Sequence, residues 1–154
     1  AAPIFLPYLT GERTPHNDPE ATGVFSGLRA EHGPDAIAYA ALEGVGFALA
    51  DCLDVLVDAD AAPKSCMMVG GGARSAWWSQ LLCDILGLTL DLPVGADRGA
   101  AFGAARLGMM AAGGGVEEVC VKPAIRRRFE PRVGPETEIR AGRRDEFRSL
   151  YRRR

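Results

Sequence analysis

The chain has 154 residues, of which 47% are apolar and 25% charged, with a formal net charge of −2. That is ordinary composition for one domain with a core of its own, and no run approaches the ~20 apolar residues of a membrane helix. The opening Ala1-Ala2-Pro3 carries no basic leader and no initiator Met, so no signal peptide is expected and the chain reads as a piece of a longer protein.

In chain order, residues 3–9 alternate weakly and run into Thr10-Gly11-Glu12-Arg13-Thr14-Pro15, a loop of turn-forming residues. Val24 to Leu28 is a short strand between Gly23 and the His32-Gly33-Pro34 break. From Asp35 to about Asp58 the period becomes helical, with Leu42, Val45, Leu49, Cys52, Leu53 and Leu56 as the expected buried face and Pro34 or Asp35 as the start. Ser65 to Val69 reads as a buried strand whose core includes Met67 and Met68. It ends in Gly70-Gly71-Gly72-Ala73-Arg74-Ser75, and a helix follows, closed by Gly87. Leu88 to Leu92 is a further strand, stopped by Pro93. Asp97 to Met110 reads as one helix whose small face suits close packing. Residues 122–139, with three prolines, are expected to be loop with one strand, and residues 143–151 a last helix. Alternating strands and helices point to an α/β layered fold.

Charge is unevenly spread. Residues 1–121 hold fifteen acidic and six basic groups, whereas residues 122–154 hold five acidic and twelve basic. The basic end lacks interleaved aromatics for base stacking, so nucleic acid is not expected; a solvated arginine face touching an acidic segment outside the chain is. The four cysteines have no C-x-x-C spacing, three lie in apolar runs, and only His16 and His32 accompany them. No metal site is expected, and the thiols read as those of a reduced, cytoplasmic protein.

The strand, triple glycine and helix in succession carry the chemistry. Glycines let the chain turn sharply and let a flat ligand approach the main chain, while the helix amino terminus favours a phosphate. No G-x-x-x-x-G-K-[ST] is present, which excludes a P-loop. A dinucleotide reading stays open, because Gly70 and Gly72 follow a strand and Asp91 lies nineteen residues further on, although Ser75 stands where that fingerprint wants Gly or Ala.

Four segments resemble the FGGY carbohydrate kinase family. Phe5 to Asn17 looks like the loop of its xylulokinase branch; Gly23 to Leu28 with Glu43-Gly44-Val45 resembles the second family signature. Val69 to Ser75 with Trp78, Gln80 and Asp84 resembles the adenosine motif, and Gly99 to Ala105 the small-residue helix after it. The resemblance implies an actin-like ATPase (ribonuclease H-like) α/β domain, a mixed sheet with helices packed on it. Residues 1–154 would form the carboxy-terminal, nucleotide-binding half of a two-domain sugar kinase whose other half lies outside the chain. It implies ATP and Mg2+ as cofactors and a ketopentose substrate, D-xylulose to xylulose 5-phosphate, held mainly by the absent half. Gly70, Gly71, Gly72 and Ser75 would bind the nucleotide, Gly70 and Gly71 through main chain near the ribose and α-phosphate.

The family's catalytic Asp would precede Ala1, so no catalytic residue is expected here, and the isolated chain should be silent. Asp18, Asp51, Asp54, Asp84 and Asp97 read as loop or helix-surface acids and not as a substitute base. Glu12 and Arg13 would either meet phosphates, clamp the domain junction, or sit in solvent. Two other readings remain: an NAD-dependent oxidoreductase domain built on Gly70–Gly72 and Asp91, and a non-catalytic remnant that self-associates, with a homodimer formed through its exposed faces.

Overall fold

The computed structural model describes residues 2–153. The chain divides into two compact units, one of Ala1–Pro63, Asp84–Gly87 and Pro131–Arg154, the other of Lys64–Cys83 and Leu88–Glu130.

In the first unit, β1 (Ile4–Leu6) and β2 (Val24–Ser26) form an antiparallel ribbon with Phe5 opposite Phe25. The long helix α1 (Pro34–Asp58) starts with Pro34 in its first turn, where a missing N–H costs nothing. Its face is only in part the expected one, with Cys52 and Leu53 half-buried. Leu42, Val45, Leu49 and Leu56 are exposed, and the buried side carries Ala40, Glu43, Gly44, Phe47, Ala50 and Asp51. Small residues there let β1 lie close: a Cβ on Gly44 would sit 2.2 Å from the Phe5 carbonyl oxygen. The core gathers Ile4, Leu6, Tyr8, Ala21, Phe47 and Phe147, with Phe47 and Phe147 packed edge to face at 5.6 Å. Burial, reinforced by the Asp51 carboxylate, pushes the Tyr8 phenol well above the ordinary tyrosine range.

The second unit holds a three-stranded sheet. Strand β3 (Ser65–Met67) runs parallel to β4 (Thr89–Pro93), which pairs antiparallel with β5 (Ile125–Phe129), so β4 is central. Being an edge strand, β3 is not buried as expected, and Met67 is 48% exposed. Helix α2 (Ala76–Leu86) ends at Gly87, whose φ of +62° is the left-handed stop its position foretold. The single helix expected from Asp97 is two pieces, a 3₁₀ turn Ala96–Arg98 and α3 (Ala100–Ala111), parted by Gly99 at φ +49°. None of α3's residues is buried within the described chain, so its small face does not make the close packing expected of it. A short α4 (Val116–Val119) follows. Of the three cysteines placed in apolar runs, only Cys83 is buried.

The last helix is twice as long as its sequence span foretold. Helix α5 runs Pro135–Arg152, with Pro135 serving as a helix start instead of a breaker. Three of its arginines, Arg143, Arg144 and Arg148, find their acids inside the chain, in α1, so for these the expected outside acidic segment is not needed. Arg143 grips buried Glu43 through Nε and Nη2 at 2.9 and 2.5 Å, and donates as well to the carbonyls of Ala2 and Pro3. Arg144 and Arg148 share Asp51, each at 2.7 Å, and both reach Asp54. Asp84, at the end of α2, takes the Arg132 guanidinium at 2.6 Å and its backbone N–H at 2.9 Å. These acids are not idle surface groups; they fasten the carboxy-terminal segment.

Candidate nucleotide site

The main chain leaves β3 at Met67 and reverses at Gly70, whose φ of +95° is open to glycine and strained for other residues. Gly71–Arg74 then forms a 3₁₀ turn, closed by the Ala73 N–H donating to the Gly70 carbonyl at 3.0 Å. Ser75 takes extended backbone and caps α2: its Oγ accepts the Trp78 N–H at 3.2 Å, in the usual geometry of an N-terminal cap. Gly72 is needed for packing, since a Cβ there would lie 3.1 Å from the Trp78 indole. Gly70, Gly71, Gly72 and Ser75 are thus brought together in one turn, as the sequence suggested.

A second turn closes against the first. The Gly70 N–H donates to the Ala96 carbonyl at 2.7 Å. A Cβ on Gly99 would stand 3.3 Å from the Gly70 Cα, so two backbones meet where no side chain fits. Residues Gly95 to Gly99 therefore lie against the Gly70 turn, whereas the sequence placed Gly99 merely in a helix. The missed signal was the pair of glycines bracketing Ala96–Arg98. The residue before α3, Gly99, thus lies against the turn that leads into α2. In front of Gly70 no atom lies within 4 Å of a Cβ position, and Gly71 would meet only the Arg74 Nη2 at 3.7 Å. The cradle is open main chain, suited to the close approach of a flat ligand.

Trp78, Gln80 and Asp84 do different work. Trp78 packs on Gly72, the Gln80 amide donates to the Glu130 carbonyl at 2.9 Å, and Asp84 holds Arg132. Asp91, the acid of the dinucleotide reading, is engaged by Arg128 across the β4–β5 pair, Nε to Oδ1 at 2.7 Å and Nη2 to Oδ2 at 3.1 Å. That hydrogen-bonded guanidinium holds the Asp91 carboxyl below the usual carboxylate range, against a smaller opposing effect of burial. A depressed folded value means the pair's contribution is full above about pH 4 and fades as pH falls below it. Urea unfolding should therefore find Asp91→Asn less stable than the parent at pH 6, with the gap narrowing as pH is lowered below about 4. A gap that stays constant as pH falls through the acid range would show that the pair is not what the substitution removes.

Glu12 and Arg13 lie in the first unit, in a loop of their own. Glu12 and Asp18 exchange two backbone hydrogen bonds at 2.8 and 2.7 Å, and Glu12 Oε1 accepts the Thr14 N–H at 2.8 Å. Thr10, Gly11, Glu12, Arg13, Asn17 and Pro19 line an open cleft of about 460 Å³, with Arg13 exposed at its rim. Among the described residues, no group of three His, Cys, Asp or Glu side chains is placed to hold a metal ion.

Residues 1–112 match the sequence profile of the carboxy-terminal domain of the FGGY family of carbohydrate kinases. The chain belongs to that family. It is 48% identical over 155 aligned residues to a xylulose kinase of Escherichia coli K12, covering 98% of this chain and 32% of that protein. With a xylulose kinase of Klebsiella pneumoniae it shares 54% identity over 112 residues, 72% of this chain and 23% of that one. A crystal structure of a xyloylose kinase from Brucella ovis superposes with a TM-score of 0.82 at 39% identity, over 98% of this chain and 31% of that one. The fold is therefore the actin-like ATPase α/β fold of FGGY kinases, and the chain spans about a third of the length of the curated relatives it matches. Among the described residues, no helix is long and apolar enough to cross a membrane.

Proposed function

We propose that this chain is the adenosine-gripping part of an ATP-dependent sugar kinase that converts D-xylulose to xylulose 5-phosphate. The observation that carries it is the pair of glycine turns closing on each other at Gly70 and Gly99, with open main chain at Gly71. Gly70 and Gly71 offer backbone to the ribose and α-phosphate, while the amino-terminal ends of α2 and α3 favour the phosphate charge. Ser75, committed to capping α2, orients that helix and keeps its hydroxyl hydrogen for a polar contact at the site's edge. Mg-ATP would supply the transferable phosphoryl group. Transfer to a sugar hydroxyl needs positioning, charge neutralisation and one base. In this reading the base and most sugar contacts belong to the part of the relatives' length outside this chain, which alone binds nucleotide and does not turn over. Engagement of Asp91 by Arg128 supports a kinase over a dinucleotide enzyme, which needs that acid for a ribose.

Trp78 packs on Gly72, so a ligand in the turn should change indole fluorescence. Titration with Mg-ADP should saturate, and Gly71→Val should weaken it by about tenfold or more. Valine at 71 meets no backbone, so the fold should survive while the approach to the main chain closes. Saturation by NAD and not by Mg-ADP would overturn the kinase reading.

A further inference from the structure

Some arginines of this chain are held by acids, whereas others, such as Arg106 and Arg127, lie over aromatic rings. Arg128, Arg132, Arg140, Arg143, Arg144 and Arg148 each have a carboxylate partner. Arg74 and Arg98 are exposed and, among the described residues, form no salt bridge, although Asp97 precedes Arg98 in the chain; both sit at the nucleotide turns. Arg74 closes the 3₁₀ turn that begins at Gly71, and its Nη2 lies 3.7 Å from where a Gly71 Cβ would be. Arg98 closes the other turn, immediately before Gly99, and folds its Cδ and Nε over Gly95 at 3.6 and 3.7 Å from that residue's Cβ position. One guanidinium thus comes from each turn, and the turns are tied by the Gly70 to Ala96 hydrogen bond. Asp97 is the acid in the same stretch, leaving the two turns a net positive charge.

We infer that Arg74 and Arg98 are positioning residues for the nucleotide's phosphates, so that this half-site distinguishes a nucleoside diphosphate from the bare nucleoside. The inference rests on the nucleotide reading above and adds to it the source of anion selectivity. Backbone N–H groups and helix dipoles alone give a modest preference for charge. A guanidinium presents fixed donors that match phosphate oxygens, and hydrogen bonds of this charge-assisted kind are about twice as strong as neutral ones. Each guanidinium is carried on a short 3₁₀ turn, Gly71–Arg74 or Ala96–Arg98. The glycines at 71 and 95 leave room for the side chains to lie along the main chain that the ligand approaches.

The test is a pair of titrations, Mg-ADP and adenosine, on the parent chain and on Arg74→Ala, Arg98→Ala and the exposed β5 control Arg126→Ala. Each of the first two should weaken Mg-ADP about tenfold and leave adenosine within about twofold. Both should also flatten the salt dependence of Mg-ADP binding, since screened charge contacts have been removed. The control should change neither. Unaltered Mg-ADP affinity in both variants overturns the inference while the nucleotide reading stands, and so does a parallel loss of adenosine, which would mean the turn itself was disturbed. A parent chain that binds neither ligand overturns the nucleotide reading and takes this inference with it. Arg74→Lys and Arg98→Lys, which keep charge but lose the fork, should recover part of the Mg-ADP affinity.

Discussion

Arg143→Ala should cost the chain about 3–5 kcal/mol, the loss found when one partner of a buried ion pair is removed. Glu43 is 1% exposed and Arg143 15%, so the carboxylate left behind has little access to water. More than one bond is at stake. The same guanidinium donates to Ala2 at 2.9 Å and Pro3 at 3.2 Å, just before β1, and Glu43 also accepts the Tyr39 hydroxyl at 3.2 Å. One side chain of α5 thus holds α1 and the start of β1 together. At 2–4 °C per kcal/mol for a chain of this size, the midpoint of thermal unfolding should fall by about 6–20 °C. Arg143→Met combined with Glu43→Leu should recover much of the loss, because no lone charge remains, but not all, since the Ala2 and Pro3 carbonyls stay unpaired. A single-variant loss under about 1 kcal/mol would mean that Glu43 reaches water or a new partner, and the clamp would not be the anchor described here.

That clamp also shows why sequence periodicity misjudged α1. Counting large apolar residues selected Leu42, Val45, Leu49 and Leu56, yet the face that packs in this chain is Glu43, Gly44, Phe47, Ala50 and Asp51. A hydrophobic-face rule assumes that charge points to water, and it fails where carboxylates are buried against arginines a hundred residues away in the sequence. The charge imbalance between residues 1–121 and 122–154 was visible, but its resolution was not: matching Glu43 to Arg143 requires knowing that α5 lies on α1. Pro135 misled in a similar way, since proline ends a helix or begins one depending on neighbours that composition does not weigh. The glycine turn was legible because its signal is local. Positive φ at Gly70, the short turn and the helix after it are all dictated within six residues. Its partner turn at Gly95–Gly99 was not, because the contact of Gly99 with Gly70 spans nearly thirty residues and leaves no periodic trace.

Gly44→Ala should destabilise the chain by about 2–4 kcal/mol, although alanine is the better helix former by ~1 kcal/mol. The new methyl would lie 2.2 Å from the Phe5 carbonyl oxygen and 3.1 Å from its carbon, backbone atoms that cannot swing aside as a side chain can. Relief requires β1 to lift off α1, and β1 carries Ile4 and Leu6, two of the most buried residues of the core. Propensity and packing therefore oppose each other at this position, and packing should win by the difference in size. Gly103→Ala in α3 separates the two effects, since nothing lies within 4 Å of its Cβ position. There propensity acts alone, and the variant should be more stable than the parent by about 0.5–1 kcal/mol. Denaturant midpoints measured side by side should move in opposite directions for these two substitutions. If Gly44→Ala were neutral or stabilising, β1 and α1 would have to be further apart than the structure places them, and the close approach proposed as the reason for glycine at 44 would be wrong.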